Sequence, residues 1–325
     1  MSLLKEIGGA VVRTQFWQIE AARMALQTKP QDVLSIPKTA VQELTGVSND
    51  LQNFLFKRSL NFPPNPVQSP IVQDKPTQPT EPTYPGAPLF SQGFGDADAV
   101  DFNDVKQGNF GDCYLMASLA SIARNNPEAI HDMVRENLDE NGNVTSYTVT
   151  FQERDNGILG FGGGDYKEVE VTVNPSEVMT DGANPGDNGE LWVKVIEAGF
   201  AEYKGGADEI KNGGNPADTM QILTGKDSEK YDTDPGIFGD EYSFDNLQTD
   251  FNDGEQIVFS SNGDSKKLEL SGYGIHGNHA YMVEKVYTDE NGTEMVQLYN
   301  PWGYDHPKPI PYSEVKNYFS EIGVN

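Results

Sequence analysis

The sequence predicts an α+β protein in which helices dominate the first part of a globular region and strands the second. Three observations carry this. Apolar residues recur at three- and four-residue steps in two stretches, Leu115, Met116, Leu119, Ile122 and Ala123 in one and Trp192, Val195, Ile196, Gly199, Phe200 and Tyr203 in the other, the spacing of a single helix face. Period-two alternation marks VTSYTVTF, KEVEVTV, EQIVFS, HAYMVEKVY and EMVQLYN as strands, the last three of them after residue 250. With 33 Gly and 20 Pro, much of the chain is loop.

Taken in order, residues 1–60 contain two helical patterns. One is TQFWQIEAARMAL, and the other starts at Thr39, where Thr39 and Gln42 make a capping-box pattern and Val41, Leu44, Val47, Leu51, Phe54 and Leu55 form a stripe. Two helices cannot bury their own stripes, so this extension is expected to dock on the rest of the chain or on a partner protein. From Phe62 to Pro88 nine prolines in 27 residues exclude helix and sheet and favour an extended spacer, so residues 61–90 read as a linker. Residues 91–325 form the globular region. Its first helix is expected from Gly111 or Asp112 and stops before Pro127; the second ends at the Gly205-Gly206 stop signal. GILGFGGGDY lacks a following Lys-Ser or Lys-Thr and reads as a hairpin tip rather than a phosphate cradle. YDTDPGIFGDEYSFDN reads as an acidic surface loop. Asn291-Gly292 is expected at the tip of an antiparallel hairpin made by the last two predicted strands.

Charge and composition narrow the function classes. The chain of 325 residues carries 23 Lys/Arg against 50 Asp/Glu, a net charge of -27, and the imbalance sits in residues 91–325, with 15 Lys/Arg against 43 Asp/Glu; residues 1–60 carry seven against five. Such a field repels phosphate backbones and anionic lipid, so nucleic acid is not an expected partner. No run of about 18 apolar residues marks a membrane span. The first apolar stretch breaks at Arg13 without a small-residue cleavage site after it, so the expected location is the cytoplasm, or outside the cell by a route without a standard signal peptide. One cysteine, Cys113, excludes an intramolecular disulfide and a multi-cysteine zinc site.

A lone thiol is either an inert packing residue or a reactive one. Cys113 falls in the first turn of its predicted helix, where unpaired N–H groups and the dipole favour thiolate. Gly108 and Gly111 allow close approach to it, and Gln107 offers an amide donor for an oxyanion. A thiol nucleophile needs a base and a group to orient it. His279 opens one strand of the predicted hairpin and Asn300 closes the other, which places them at the same open end; the Asn300 amide oxygen can then hold the imidazole toward Cys113. His276 and His279 also read as an HxxH metal pair, but without a third strong ligand in sequence. His131 and His306 read as solvated or core histidines.

Several blocks in order resemble the calpain family of papain-like cysteine proteases. QGNFGDCYLMASLASIA is similar to the family's cysteine block, with Tyr114 where the family has Trp; ELWVKVIEAGFAEYKGG and GGNPADTMQILTG are similar to the helix and glycine-turn block; GNHAYMVEKVY resembles the histidine block, LYNPWG the asparagine block and IPYSEVKNYFSEI the closing segment. The resemblance covers about residues 91–325. It implies a papain-like α+β fold of two lobes, a helical one bearing Cys113 and a β one bearing His279 and Asn300, and endopeptide hydrolysis with Gln107 in the oxyanion position and Trp302 shielding the His–Asn hydrogen bond.

The resemblance also implies calcium. Asp104, nine residues before Cys113, matches a family ligand, with Glu190 as its partner and Asp96, Asp98 and Asp101 nearby; oxygen ligands on a loop suit Ca²⁺. A solvated acidic face is the competing reading of these aspartates. His306 stands where a second calcium loop would place an acid. Two other functions keep the same order of groups: transglutaminase-like acyl transfer, which would use an acid where Asn300 stands, and a catalytically silent module that delivers the N-terminal helices to a partner.

Overall fold

A computed structural model describes residues 84–93, 98–155, 164–234 and 242–325, all within one compact unit, Thr77–Asn325. Both predicted N-terminal helices, the spacer before Tyr84, Asp96 and most of the glycine run at 157–166 lie outside the described residues.

The first lobe is built on α1 (Cys113–Asn125), α2 (Pro127–Met133) and a three-stranded antiparallel sheet of β1 (Val134–Leu138), β2 (Val144–Arg154) and β3 (Tyr166–Val173), backed by α3 (Trp192–Lys204). Residues Tyr114–Ala123 are buried without a break, so α1 is covered on every side and serves as the central strut. Its three buried hydroxyls are all used: Tyr114 donates to the Ile210 carbonyl at 3.1 Å, Ser118 donates to the Tyr114 carbonyl at 2.7 Å and Ser121 accepts the Ile257 N–H at 3.0 Å. Pro127, expected after α1, also opens α2, where its missing N–H costs nothing. α3 ends at Gly205 with φ 97°, a left-handed cap that favours glycine. Trp192 and Phe200 are wholly buried on it, each contributing about 1.5–3 kcal/mol of burial.

The chain continues through the short α4 (Ala207–Ile210), α5 (Pro216–Thr224), β4 (Glu229–Asp232), α6 (Phe244–Asp253), β5 (Ile257–Ser261), α7 (Ser265–Ser271), β6 (Ala280–Thr288), β7 (Glu294–Tyr299), β8 (Ile310–Pro311), α8 (Val315–Tyr318) and β9 (Phe319–Val324). The second lobe is a six-stranded antiparallel sheet in the order β4-β9-β5-β6-β7-β8. Its core of Phe259, Tyr281, Leu298, Phe319 and their neighbours is separate from that of the first lobe. A small third cluster of Ala117, Met220, Val258 and Ala280 joins the lobes, and Cys113 packs against it.

Two of the three strands in the first lobe are the predicted VTSYTVTF and KEVEVTV. Two expectations need correction. The acidic stretch at 231–246 is not a single surface loop: Tyr231 belongs to β4 and stacks on Tyr242 at 4.3 Å, and Phe244 is buried at the start of α6. The linker does not run free to residue 90, because Leu89 is buried and its carbonyl accepts the N–H groups of Leu191 and Trp192. An apolar side chain at that point gains more from the core than the spacer gains from hydration.

Candidate active site

Cys113 is the first residue of α1, with Asp112 at the N-cap. His279 precedes β6 and Asn300 follows β7. The β6–β7 register pairs Met282 with Tyr299 and Thr288 with Glu294, so both residues emerge at the end opposite the Asn291-Gly292 turn, as the hairpin count predicts. Gln107, Asn109, Cys113, Gly213, His279 and Trp302 line one cleft of about 820 Å³ between the lobes.

The His279–Asn300 pair is over-determined. The two side chains are 7% and 0% exposed, and His279 Nε2 lies 2.9 Å from Asn300 Oδ1. The Trp302 N–H donates to the same oxygen at 3.1 Å, while Asn300 Nδ2 donates to the Asp305 carbonyl at 3.1 Å. These two contacts fix which end of the amide is oxygen, so Nε2 must carry the proton and donate, leaving Nδ1 free to accept. The Trp302 ring lies 4.7 Å from His279 and 4.5 Å from His276 and covers the imidazole, while Tyr281 meets its other side edge-on at 4.8 Å.

Several supporting residues carry no sequence signal of their own. Ser261 Oγ accepts the His279 N–H at 2.9 Å and holds the strand end. His306, read as a solvated or core residue, accepts the Asn300 N–H on Nδ1 at 3.1 Å and stacks on Tyr299. His276 does not pair with His279 as a metal ligand; it bonds Asp305 at 2.8 Å. Only the NPWG context pointed to this loop, and these contacts depend on where a later turn returns.

Gln107 bridges the lobes: its N–H donates to the Pro301 carbonyl at 2.8 Å, and its Nε2 donates to the Phe110 carbonyl at 2.6 Å. One carboxamide N–H is thereby fixed, and the Asp112 carboxyl stands against the same side chain. Burial works against the thiolate that the helix N-terminus favours. Burial pushes the Cys113 thiol up, opposed by the Ala280 N–H facing it, and the Asp112 charge pushes it further. Among the described residues no hydrogen bond joins Cys113 to His279. Burial also holds the His279 imidazole down to about 4, against the Asn300 bond, with His276 adding to the effect. Loss of water thus opposes charge on both the thiol and the imidazole.

A stability consequence follows from His279. Between the ordinary histidine value and about 4, the unfolded chain binds a proton that the folded protein refuses, so stability falls as pH drops through this window, by up to about 3 kcal/mol. Denaturant titrations from pH 7 to 4 should show a shallower loss for His279→Gln than for wild type; parallel curves would assign the acid sensitivity to other groups.

Asp104 ends a short 3-10 helix, Phe102–Asp104, and Glu190 precedes α3. Both are buried, at 3% and 1% exposed, and the structure brings the two carboxyl groups together. Burial, then the bond and charge of Glu190, push Asp104 up to about 7 against the Asp101 N–H that favours its anion. Asp98 and Asp101 do not join them: Asp98 bonds His131 at 2.8 Å and Asp101 caps the 3-10 helix. Among the described residues no cluster of three His, Cys, Asp or Glu side chains suits a metal ion.

A two-lobed α+β fold with a cysteine heading the buried central helix and a His–Asn pair across the cleft is the layout of a papain-like cysteine protease. Residues 89–313 match the family described as "Calpain family cysteine protease", and the chain belongs to that family. It is 26% identical over 227 residues to Calpain-B of Drosophila melanogaster, covering 65% of this chain and 22% of that protein. It is 28% identical over 211 residues to the human Calpain-2 catalytic subunit, covering 62% and 28%, and 32% identical over 137 residues to mouse Calpain-7, covering 41% and 16%. The chain thus spans about a quarter or less of the length of these relatives. No helix among the described residues is long and apolar enough to cross a membrane.

Proposed function

We propose that the chain is a calpain-type cysteine endopeptidase with Cys113 as nucleophile, His279 as base and then acid, Asn300 as the group that orients the imidazole, and Gln107 as an oxyanion donor. The His279–Asn300 hydrogen bond, with its tautomer dictated from both sides, carries this reading: it leaves the proton-free Nδ1 for the thiol. A peptide entering the cleft displaces water and brings its carbonyl to Cys113. The Sγ proton passes to Nδ1 as sulfur attacks, and the oxyanion takes hydrogen bonds from Gln107 Nε2 and the Cys113 N–H. The imidazolium then protonates the leaving amine as the C–N bond breaks, and water, deprotonated by His279, releases the acyl group from sulfur. Asn300 also disfavours the transglutaminase-like alternative, and the complete constellation disfavours a silent module.

The Asp104–Glu190 pair fits Ca²⁺. Glu190 Oε1 is buried without a hydrogen-bond partner, and a methyl group on Gly186 would occupy the place of that carboxyl, so the loop is shaped around the anion. Two adjacent carboxylates out of water require a cation or a proton, and calcium accepts carbonyls and water for its remaining ligands. The bound ion would neutralise the pair and stiffen the loop leading to Gln107. Residues 1 to about 90 are the candidate for a docking or inhibitory arm that the enzyme trims. Cleavage at the borders of the spacer, near Leu55 to Phe62 or near Leu89 to Phe94, fits its extended character, and the burial of Leu89 favours the first of these.

One preparation tests the reading. Wild type and Cys113→Ala are incubated with a peptide substrate, an epoxide inhibitor and a primary amine, and new N-termini are mapped. Hydrolysis, labelling of Cys113 and loss of the arm only in wild type are expected. Amine incorporation without hydrolysis would establish the acyl-transfer alternative, and an unlabelled thiol the silent one.

A further inference from the structure

Behind the nucleophile lie three ionisable side chains that the reaction above leaves unused. Asp112, Lys194 and Glu197 are all 0% exposed, and burying them costs free energy unless each is partnered. Lys194 Nζ donates to the carbonyls of Met179, at 2.8 Å, and Ala183. Both Glu197 oxygens accept the Ala183 N–H, at 2.9 and 2.8 Å. α3 therefore grips the 179–183 loop by both polarities, its ammonium on carbonyls and its carboxyl on an amide.

The gripped loop in turn carries the oxyanion segment. The Asp181 carbonyl accepts the Asn109 N–H at 3.0 Å, the Asn184 N–H donates to the Lys106 carbonyl at 2.7 Å, and Asn184 Nδ2 donates to the Gln107 carbonyl at 3.2 Å. Packing leaves no slack between the layers. A methyl group on Gly108 would overlap the Gly182 carbonyl, and one on Gly182 would overlap the Glu197 carboxyl, so displacement of Glu197 is passed to Gly108 through backbone contacts. Asp112 closes the circuit, its carboxyl standing against both Glu197 and Gln107.

We propose that Glu197 and Lys194 are positioning residues for the oxyanion side of the active site, acting through the 179–184 loop on Gln107, Gly108 and Asn109. The inference rests on the hydrolytic reading of Cys113 and deepens it. Charge balance supports the arrangement: one ammonium and two carboxyls form a neutral cluster when the carboxyls share one proton. Burial holds Asp112 up to about 6, and burial together with the Asp112 charge holds Glu197 up to about 9, as expected for two carboxyls that cannot both ionise.

Hydrolysis and alkylation separate positioning from simple structural support. Alkylation of Cys113 by iodoacetamide uses the thiol and His279 but forms no oxyanion, whereas peptide hydrolysis uses all three. Glu197→Gln and Lys194→Met are compared with wild type for kcat, KM and alkylation rate. The expected result is a fall in kcat of about 10- to 100-fold, the scale of a misplaced oxyanion donor, with KM and alkylation within about twofold of wild type. At least one variant must show this split. If neither does, whether because alkylation falls in parallel or because kcat is unchanged, Glu197 and Lys194 are structural and the inference is overturned. A wild type that is alkylated yet hydrolyses no peptide would overturn the functional reading, and this inference with it.

Discussion

Cys113→Ala and His279→Ala are expected to reduce peptide hydrolysis by about 10⁴-fold or more, and Asn300→Ala to retain roughly 100-fold more activity than either. The order follows from what each side chain does. Without Cys113 no acyl-enzyme forms, and without His279 nothing takes the thiol proton, which burial holds firmly on sulfur. Asn300 only aims the ring, and Trp302 at 4.7 Å and Tyr281 at 4.8 Å still confine it. Its loss nevertheless leaves His279 Nε2–H and the Trp302 N–H without their acceptor in a buried place, so the variant should also melt several degrees lower. Rates and melting temperatures on the three proteins check this together. Wild-type hydrolysis by Cys113→Ala would end the mechanism; equal losses in all three would mean that Asn300 is as essential as the reacting groups.

Calcium is expected to raise both the melting temperature and the rate of the wild type, and Asp104→Asn to abolish both responses while raising the melting temperature in chelator. The last effect has a simple cause: the isosteric amide removes one of two carboxyls that repel each other out of water. The link to catalysis runs through short contacts. Phe102 meets Tyr299 edge-on at 5.1 Å, the Tyr299 hydroxyl donates to the Val105 carbonyl at 3.3 Å, and the Gln107 N–H reaches Pro301. The Asp104 turn is thus tied to the end of β7, which leads directly into Asn300. A ligand that binds one arrangement of this turn better than another shifts the whole set toward it. Hydrolysis and thermal unfolding of both proteins, in chelator and in millimolar Ca²⁺, supply the four conditions; equal values across all four would remove calcium from the account.

Helix faces, strand alternation and the Asn291-Gly292 turn were legible in the sequence because each arises from interactions within a few residues, and period and turn chemistry are local properties. The same locality put His279 and Asn300 at one end of a hairpin and Cys113 at the head of a helix. Resemblance to a family added Asp104 and Glu190 and supported the place already given to Gln107. What no local pattern encodes is which distant groups share a dry interior. The Ser261 anchor beneath His279, the seating of Leu89 against Leu191 and the approach of Asp112 to Glu197 join residues far apart in the chain, and the His306 bond to Asn300 depends on how the intervening turn folds back. Ionisation belongs to this second group. A helix N-terminus favours thiolate at Cys113, but the fold excludes water from both Cys113 and His279 and so works against charge on either, because the free energy of a charge depends on the solvent it loses as well as on the dipole it faces.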